Sequence, residues 1–274
     1  MNRSLLLPLL LVSGSAFAWG DCEHSARREA TVDLGAARKL MLATGAGDLK
    51  VIADAKATQV TASGKACASS EELLAAIQLR TGNEGGTPTL KADMPQYEGS
   101  WIGNTYAYLD LEVHVPASLA LALADSSGDV DVEGIASLDA HDSSGDLEVR
   151  DIAGEVKVVD SSGDVNVRGA GSVHVVNDSS GDLELSSITG DVQIDSDSSG
   201  DIDVDKVGGN AVVESDSSGD IDFTGVTGNA TVDRDSSGGI YANDIGGDFV
   251  VRVDGSGGVS HHGVKGRVEV PDDD

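Results

Sequence analysis

Carboxylates recur at a fixed interval along the second half of the chain, and rows of carboxylates can bind hard divalent cations. Each copy of the motif Asp-Ser-Ser-Gly-Asp places one aspartate at either end. Calcium is the one ion that this pattern suggests, and no other cofactor is predicted. The candidate metal ligands are the aspartates of five successive copies: Asp142, Asp146, Asp160, Asp164, Asp178, Asp182, Asp197, Asp201, Asp216 and Asp220.

The same motif also has a purely structural use, as a corner of the chain. Asp and Ser side chains accept hydrogen bonds from nearby backbone N–H groups, and Gly supplies a positive φ angle. We expect the serine hydroxyls to bond along their own row and the aspartate rows to lie outside, screened by water and counterions. Calcium-binding β-rolls carry Gly-Asp motifs in both halves of each coil. Here only one half carries them, which favours corner chemistry over stoichiometric calcium binding.

The motif belongs to an internal repeat that must position these side chains. Successive copies begin 17 to 19 residues apart, a spacing too regular for scattered turns. The eight copies begin at Asp125, Asp142, Asp160, Asp178, Asp197, Asp216, Asp235 and Asp254. Seven of them read Asp-Ser-Ser-Gly, whereas the eighth reads Asp254-Gly255-Ser256-Gly257.

Apolar residues fall at equivalent places within each copy. In the fourth copy they are Leu183, Leu185, Ile188, Val192 and Ile194. The pairs at either end have the period of two that is typical of strands. One copy cannot bury five apolar side chains alone, whereas stacked copies can. The predicted fold is therefore all-β: a single parallel β-solenoid of about eight rungs, with a right-handed coil favoured by the crossover rule. A β-propeller fits less well, since each blade needs about 40 residues.

The residues before the repeat are predicted to form a related cap. The stretch 45–51 copies the corner and first strand, and 109–115 alternates like a strand. We predict a β-rich cap with the first rungs over 19–108, including a short helix capped by Ser69 or Ser70. The solenoid then covers 109–271, and 272–274 form an acidic tail. Two cysteines in an exported chain are most simply one disulfide, Cys22–Cys67.

The first residues predict export. A positive Asn2-Arg3 pair, an apolar run over 5–12 and a small-x-small site at 16–18 are typical of a cleaved signal peptide, residues 1–18. The expected location is the periplasm, or the cell surface or medium. No later segment is apolar enough for a predicted membrane span.

Charge restricts the partners. Residues 125–274 contain 34 acidic and 8 basic residues. Nucleic acids and anionic lipids need a positive protein surface, so neither is an expected partner.

One aromatic segment is a candidate contact loop. Residues 97–108 hold four of the chain's aromatic side chains together with two glycines, and Tyr and Trp are favoured at interfaces. The alternative is a hairpin whose rings pack on the cap. The candidate contact residues are Tyr97, Trp101, Tyr106 and Tyr108.

An enzyme is not predicted. Carbohydrate lyases and hydrolases also use parallel β-helices, but they need a cleft lined with basic and aromatic side chains, which this repeat lacks. Paired carboxylates can hydrolyse glycosides. Here every rung presents the same pair, so no single catalytic site is indicated.

The rungs 127–132 and 162–167 share the pattern S-G-D-V-x-V, and a strand, a proline and a second strand cover 113–123. These features resemble the bacterial putative-adhesin family, a domain of unknown function, over roughly residues 30–270. The resemblance implies a β-helix on exported or envelope proteins and brings no catalytic residues. The predicted function is an exported, non-enzymatic scaffold that binds an envelope or surface protein or a glycan. The alternatives are a calcium-binding β-roll and a glycan-active β-helix protein.

Overall fold

A computed structural model describes residues 22–95 and 105–271, which form 22 strands and one short helix. The predicted signal peptide and acidic tail lie outside the described residues. Within the described ranges, no helix has the length and apolar character needed to cross a membrane.

The first part of the chain supplies seven strands and the helix. They are β1 (His24–Val32), β2 (Lys39–Ala43), β3 (Leu49–Asp54), β4 (Val60–Ala68), α1 (Glu71–Ala76), β5 (Gln78–Glu84), β6 (Thr87–Asp93) and β7 (Ala107–Pro116).

The repeat supplies the remaining strands, two of which are long enough to run through both halves of a coil. They are β8 (Ala120–Ala124), β9 (Val130–Glu133), β10 (Ser137–His141), β11 (Leu147–Val159), β12 (Val165–Asn177), β13 (Leu183–Ile188), β14 (Val192–Ile194), β15 (Ile202–Val207), β16 (Ala211–Val213), β17 (Ile221–Val226), β18 (Ala230–Val232), β19 (Ile240–Asn243), β20 (Phe249–Val251), β21 (Val259–His262) and β22 (Val268–Glu269).

The strands form two faces of one coil. Face A contains the strands that follow each Asp-Ser-Ser-Gly-Asp corner, in the order β7-β3-β9-β11-β12-β13-β15-β17-β19-β21. Face B contains the strands that precede each corner, in the order β6-β2-β8-β10-β11-β12-β14-β16-β18-β20-β22. All of these neighbours are parallel, and equivalent residues are paired throughout except at two irregularities between β11 and β12. The predicted parallel β-solenoid of about eight turns is therefore confirmed.

The core is a tube filled by the inward side chains of both faces. In the fourth copy Leu183, Leu185, Ile188, Val192 and Ile194 are each at most 1% exposed, as the alternation predicts. Each buried apolar side chain of this size contributes about 1.5–3 kcal/mol relative to an exposed one. Stability is therefore spread along the whole column.

The cap and the coils are one continuous structure. β2 and β3 form a coil that lies between the β6–β7 strands and the first full repeat, so the sheets run across residue 108 without a break. The corner of this coil stacks on the repeat, since Ala46 pairs with Ser127. Residues 45–51 thus form a rung, as predicted.

Antiparallel strands and the helix close the amino-terminal end. β4 and β1 extend face A, and β5 extends face B. Ser70 caps α1 by accepting a hydrogen bond from the backbone N–H of Leu73, which confirms the predicted helix start. The predicted disulfide between Cys22 and Cys67 is present, with a Cα–Cα distance of 5.6 Å.

Candidate functional site

The corners stack without a gap, and the glycine of each corner makes this stacking possible. Gly163 has a φ of +125°, a conformation that side chains with a Cβ rarely adopt. A Cβ at this position would overlap the carbonyl oxygen of Gly145 in the preceding coil. The motif therefore needs glycine for both backbone conformation and packing.

The second serine of each corner joins neighbouring coils. Ser162 Oγ donates to the carbonyl oxygen of Ser143 at 3.3 Å, and Ser180 Oγ donates to that of Ser161 at 3.3 Å. The same bond recurs at Ser144, Ser199, Ser218, Ser237 and Ser256. We expected hydroxyls bonded to one another, but the acceptor is the main chain of the coil before.

The last aspartate of each corner lies at the surface; we call these residues the outer aspartate row. Asp164 Oδ1 accepts a hydrogen bond from the backbone N–H of Asp182 at 2.9 Å, one coil further on. Each carboxylate of the row is used in this way, and Gly239 ends it by donating to Asp220 at 2.7 Å. The row comprises Asp48, Asp129, Asp146, Asp164, Asp182, Asp201 and Asp220. Asp110, a half-buried residue of β7, accepts from the backbone N–H of Asp48 in the same way.

The first aspartate of the first seven corners is buried, which corrects the expectation that both aspartate rows lie outside. We call these residues the inner aspartate row, and none of them is more than 4% exposed. The physical reason is that the corner turns the first aspartate towards the stacked backbone, where the neighbouring coils cover it. The row comprises Asp125, Asp142, Asp160, Asp178, Asp197, Asp216 and Asp235.

The inner carboxylates are only partly satisfied. Asp142 Oδ1 accepts from the backbone N–H of Ser143 at 2.7 Å, and Asp197 Oδ1 accepts from that of Ser198 at 2.8 Å. Both oxygens of Asp160, Asp178 and Asp216 lack a partner within the described residues. A buried polar atom without a partner is costly and needs a proton, a water molecule or an ion to satisfy it.

Burial raises the pKa of every carboxyl in the inner row. It raises the pKa of Asp125 and Asp197 to about 6, and that of Asp160 and Asp216 to about 7. The charges of neighbouring inner aspartates act in the same direction on these four groups. The row is therefore only partly ionised near neutral pH.

The ten predicted metal ligands lie in these two rows. Five belong to the inner row and five to the outer row, and each contacts its equivalents in neighbouring coils. In the described ranges 22–95 and 105–271, no group of three or more His, Cys, Asp or Glu side chains is arranged to hold a metal ion. Calcium binding stays a prediction.

A second acidic row, which sequence reasoning did not single out, lies on the outer surface of face A. Glu184, Asp203 and Asp222 are aligned in consecutive strands, and Tyr241 follows them in the same register. Burial, followed by the charges of Asp222, Asp205 and Glu184, raises the pKa of Asp203. In each copy the second residue of the strand after the corner points outward, and comparing this position between copies could have revealed the row.

These carboxylates line a surface groove of about 560 Å³. Arg168 and Lys206 lie at its edges, but none of the three carboxylates forms an ion pair with another described residue. Asn166 donates to Glu184 at 2.8 Å and Thr224 donates to Asp222 at 2.9 Å, which leaves Asp203 without such a donor in the described part of the chain.

Two carboxylates on face B have partners of opposite charge or hydrogen-bonding capacity. Asp195 contacts His174 at 2.8 Å, and Asp233 forms an ion pair with Arg252. Gln193 donates to both Asp195 and Glu214, at 2.8 and 3.2 Å. Face A also has paired carboxylates, since Arg150 contacts Asp131, Glu133 and Glu148. The difference between the faces therefore concerns the row Glu184, Asp203 and Asp222.

The corner between the two strands of later coils carries another ladder that was missed. Asn210 Oδ1 accepts from the backbone N–H of Asn229 at 2.9 Å, and Asn229 Oδ1 accepts from that of Asp248 at 2.8 Å. Asp191 begins this ladder and Arg267 ends it. Its mixed residue types, which include two neutral amides, concealed the pattern in the sequence.

Two of the four candidate contact aromatics fall within the described residues. Tyr106 and Tyr108 are half-buried with ring centroids 6.1 Å apart. The Tyr106 hydroxyl accepts from the backbone N–H of Glu23 at 2.9 Å, and the Tyr108 hydroxyl lies 3.7 Å from Cys22 Sγ. Both rings thus pack beside the disulfide. Tyr97 and Trp101 lie outside the described residues.

Several solved structures are similar to this chain over most of its length. A putative adhesin from Bacteroides fragilis shares 14% identity, with 91% of this chain and 98% of the other covered and a TM-score of 0.45. A putative lipid binding protein from Parabacteroides distasonis shares 16% identity, with coverage of 90% and 97% and a TM-score of 0.46. A putative cell adhesion protein from Clostridium sporogenes shares 12%, with coverage of 90% and 99% and a TM-score of 0.35.

Comparison with curated proteins gave no match. A family model, Toastrack DUF4097, matches residues 77–249, which is more than half of the chain. This match confirms the predicted resemblance to a domain of unknown function with adhesin-like relatives. The protein therefore belongs to the Toastrack DUF4097 family.

Proposed function

We propose that the protein is an exported, non-enzymatic scaffold of the cell envelope or cell surface, and that face A binds its partner through the row Glu184, Asp203 and Asp222. The observation that carries this proposal is the contrast between the two faces. On face B, Asp195 contacts His174 and Asp233 pairs with Arg252. On face A, Glu184, Asp203 and Asp222 line an open groove and form no ion pair within the described residues, although Arg168 and Lys206 also line that groove.

Unpaired like charges in one row repel each other, because neighbouring strands lie only about 4.8 Å apart. A partner with positive charge removes this repulsion, and the low affinity of single exposed pairs is offset by repetition along the row. A basic segment of a surface protein therefore fits face A. Tyr241, which is 40% exposed at the end of the row, adds an aromatic contact.

Repetition also supports a scaffold rather than an enzyme. Catalysis needs a few different groups held around one reacting atom, whereas this surface repeats one side chain per coil. The described residues present rows along the column, and a long extended partner can follow such rows from coil to coil.

The test is capture of partners from envelope extract by the chain without residues 1–18. The two variants below each remove three negative charges, so net charge is matched. We expect a salt-sensitive partner that the wild type and the face B control retain and the face A variant loses. Equal recovery by both variants would contradict the proposal. The face A variant is Glu184→Gln/Asp203→Asn/Asp222→Asn, and the face B control is Asp195→Asn/Glu214→Gln/Asp233→Asn.

Export is tested separately, by producing the full chain in a bacterium and fractionating the cells. Cleavage after Ala18 gives a mature protein that begins at Trp19, which mass spectrometry detects. A product that keeps Met1 and stays in the cytoplasm would contradict the export part of the proposal.

We propose divalent-cation binding as a second function, favoured by the unpartnered oxygens of Asp160, Asp178 and Asp216. Calcium at millimolar concentration should then raise the melting temperature in a saturable way, and magnesium should do so less. Asp160→Asn should reduce the response, while Asp164→Asn, in the outer row, should change it little. An identical melting temperature in calcium and in chelator would exclude this function.

A further inference from the structure

The two ends of the column differ in how their core is covered. At the amino-terminal end the inward residues of β6 and β7 are buried: Leu90, Leu111 and Val113 are at most 3% exposed. The helix and the antiparallel strands lie over this end, and Arg28 fastens the helix by donating to the carbonyl oxygens of Ile77 and Leu74.

The carboxy-terminal end has no such cover within the described residues. The coil before it buries Ile240, Ala242, Ile245, Phe249 and Val251 to at least 97%. In the last coil the equivalent inward positions are occupied by Val259, His261, Val264, Val268 and Val270. Of these, Val268 and Val270 are 39% and 36% exposed, and His261 is exposed.

The last strands are also sheet edges. Among the strands of the described ranges, β21 pairs with β19 alone and β22 pairs with β20 alone. Each edge therefore leaves backbone donors and acceptors free to pair with another strand. An open apolar cross-section with two strand edges is a docking surface rather than a finished end.

The distribution of acidic residues along the column favours one region for contact between two copies of this chain. Residues 125–238 contain 27 acidic and 5 basic residues, whereas residues 239–274 contain 7 acidic and 3 basic residues, including the acidic tail. The outer aspartate row stops at Asp220, because Gly239 and Gly258 occupy its next two positions. Side-by-side contact would bring long acidic rows together, whereas end-to-end contact brings together far fewer acidic side chains.

We propose that two copies of this chain associate end to end through their last coils, with each edge strand paired antiparallel to a strand of the other copy. The contact is isologous, because both copies use the same surface. At the amino-terminal end β1 and β5 are also sheet edges, but the apolar core there is covered. Association therefore stops at the dimer and does not continue into a fibre. This inference is independent of the proposed binding role of face A.

The size of the surface sets the strength of the dimer. A coil end that is two strands wide covers roughly 20 by 20 Å, or about 400 Å² on each copy. Stable interfaces bury about 800 Å² on each partner. The dimer should therefore dissociate on dilution.

Sedimentation velocity of the chain without residues 1–18, over a dilution series at moderate salt, tests the proposal. The wild type should shift from dimer to monomer on dilution, and Val268→Lys should weaken the dimer at least tenfold. Val212→Lys is the matched control, since it also replaces a valine by lysine, but Val212 lies on the outer surface of face B in β16, away from the last coil. This control should dimerise as the wild type does.

Two further variants cover the remaining outcomes. Val270→Lys repeats the test outside the last strand, in case Val268→Lys does not fold. Asn83→Lys, on the edge strand β5 at the other end, should leave the dimer unchanged. A wild type that is monomeric at every concentration, an equal loss in Val212→Lys, or assemblies larger than the dimer that Asn83→Lys disrupts would overturn the proposal.

Discussion

The inner and outer aspartate rows begin and end the same corner, yet they meet opposite environments. Asp160 is 0% exposed and neither of its oxygens has a partner in the described residues, whereas Asp164 is exposed and accepts a hydrogen bond from the next coil. Both rows repeat at the coil spacing. The two rows contain the same residue type, so the position of the aspartate before or after the corner glycine decides whether its carboxylate stabilises the stack.

The outer row converts carboxylates into coil-to-coil links. Each hydrogen bond from an N–H to a charged oxygen contributes about 1.5–3 kcal/mol, which offsets repulsion between neighbours in water. The inner row has fewer donors and no direct solvent. It is tolerated because its carboxyl groups can hold protons near neutral pH.

The largest effect that we expect comes from titration of the inner row. The folded-state pKa values of about 6 to 7 lie above the ordinary value of 3.8, so the folded state holds protons that the unfolded chain has released. The stabilisation that these bound protons give the folded state is fully present below pH 3.8, and it is lost as the pH rises through 6 to 7. Each unit of pKa shift is equivalent to about 1.4 kcal/mol, so four such groups should make the free energy of unfolding several kcal/mol lower at about pH 8 than at about pH 4.

Denaturant unfolding at several pH values measures this slope. High salt serves as the control, since it screens the net acidic charge of the surface but not the buried carboxyls. A pH dependence that vanishes in high salt would assign the effect to the surface and contradict the role of the inner row.

The second largest effect should come from the glycine between the two rows. Gly200→Ala places a Cβ against the carbonyl oxygen of Gly181 at a φ of +127°, which should cost about 3 kcal/mol or prevent soluble folding. Gly225→Ala is the matched control: its φ is +69°, but its nearest neighbours are 3.7 Å away, and Lys206 holds the equivalent position one coil earlier. Equal losses in thermal denaturation would show that φ alone, and not stacking, fixes the corner.

A substitution in each row tests the comparison directly. Asp160→Asn removes a buried charge and keeps an acceptor oxygen, so it should raise the free energy of unfolding at about pH 8 by about 1–3 kcal/mol. It should also flatten the pH dependence. Asp164→Asn keeps the oxygen that accepts from Asp182 and should change the free energy by less than about 0.5 kcal/mol. Chemical denaturation of both variants at both pH values decides this, and a destabilised Asp160→Asn would contradict it.

The smallest effect should come from the serine ladder. Ser162→Ala removes one hydrogen bond to the preceding coil and should cost about 0.5–1.5 kcal/mol. Ser161→Ala is the control, because its hydroxyl makes no such bond in the described structure while its carbonyl oxygen remains. A loss as large in Ser161→Ala as in Ser162→Ala, measured by denaturant midpoint, would show that the hydroxyl does not link the coils.

Much of the fold could be predicted from the sequence, because the repeat turns one local pattern into a global one. Leu183 and Leu185 set the inward positions of one strand, and every other coil repeats them. The burial of Asp160 could not be predicted, since aspartates in turns are usually exposed and the alternation of strands does not extend into the corner. The acidic row on face A was missed because Glu184 and Asp203 become neighbours only once the register is known.

The position of the two ends has a mechanical consequence. β1 and β21 lie at opposite edges of face A, so tension between the chain ends acts along the column and parallel to the hydrogen bonds between coils. Such a load opens one coil at a time instead of shearing all of them together. Each released unit of about 19 residues adds about 60 Å of extended chain. A surface protein built in this way would yield in steps under a pulling force and keep its remaining coils intact.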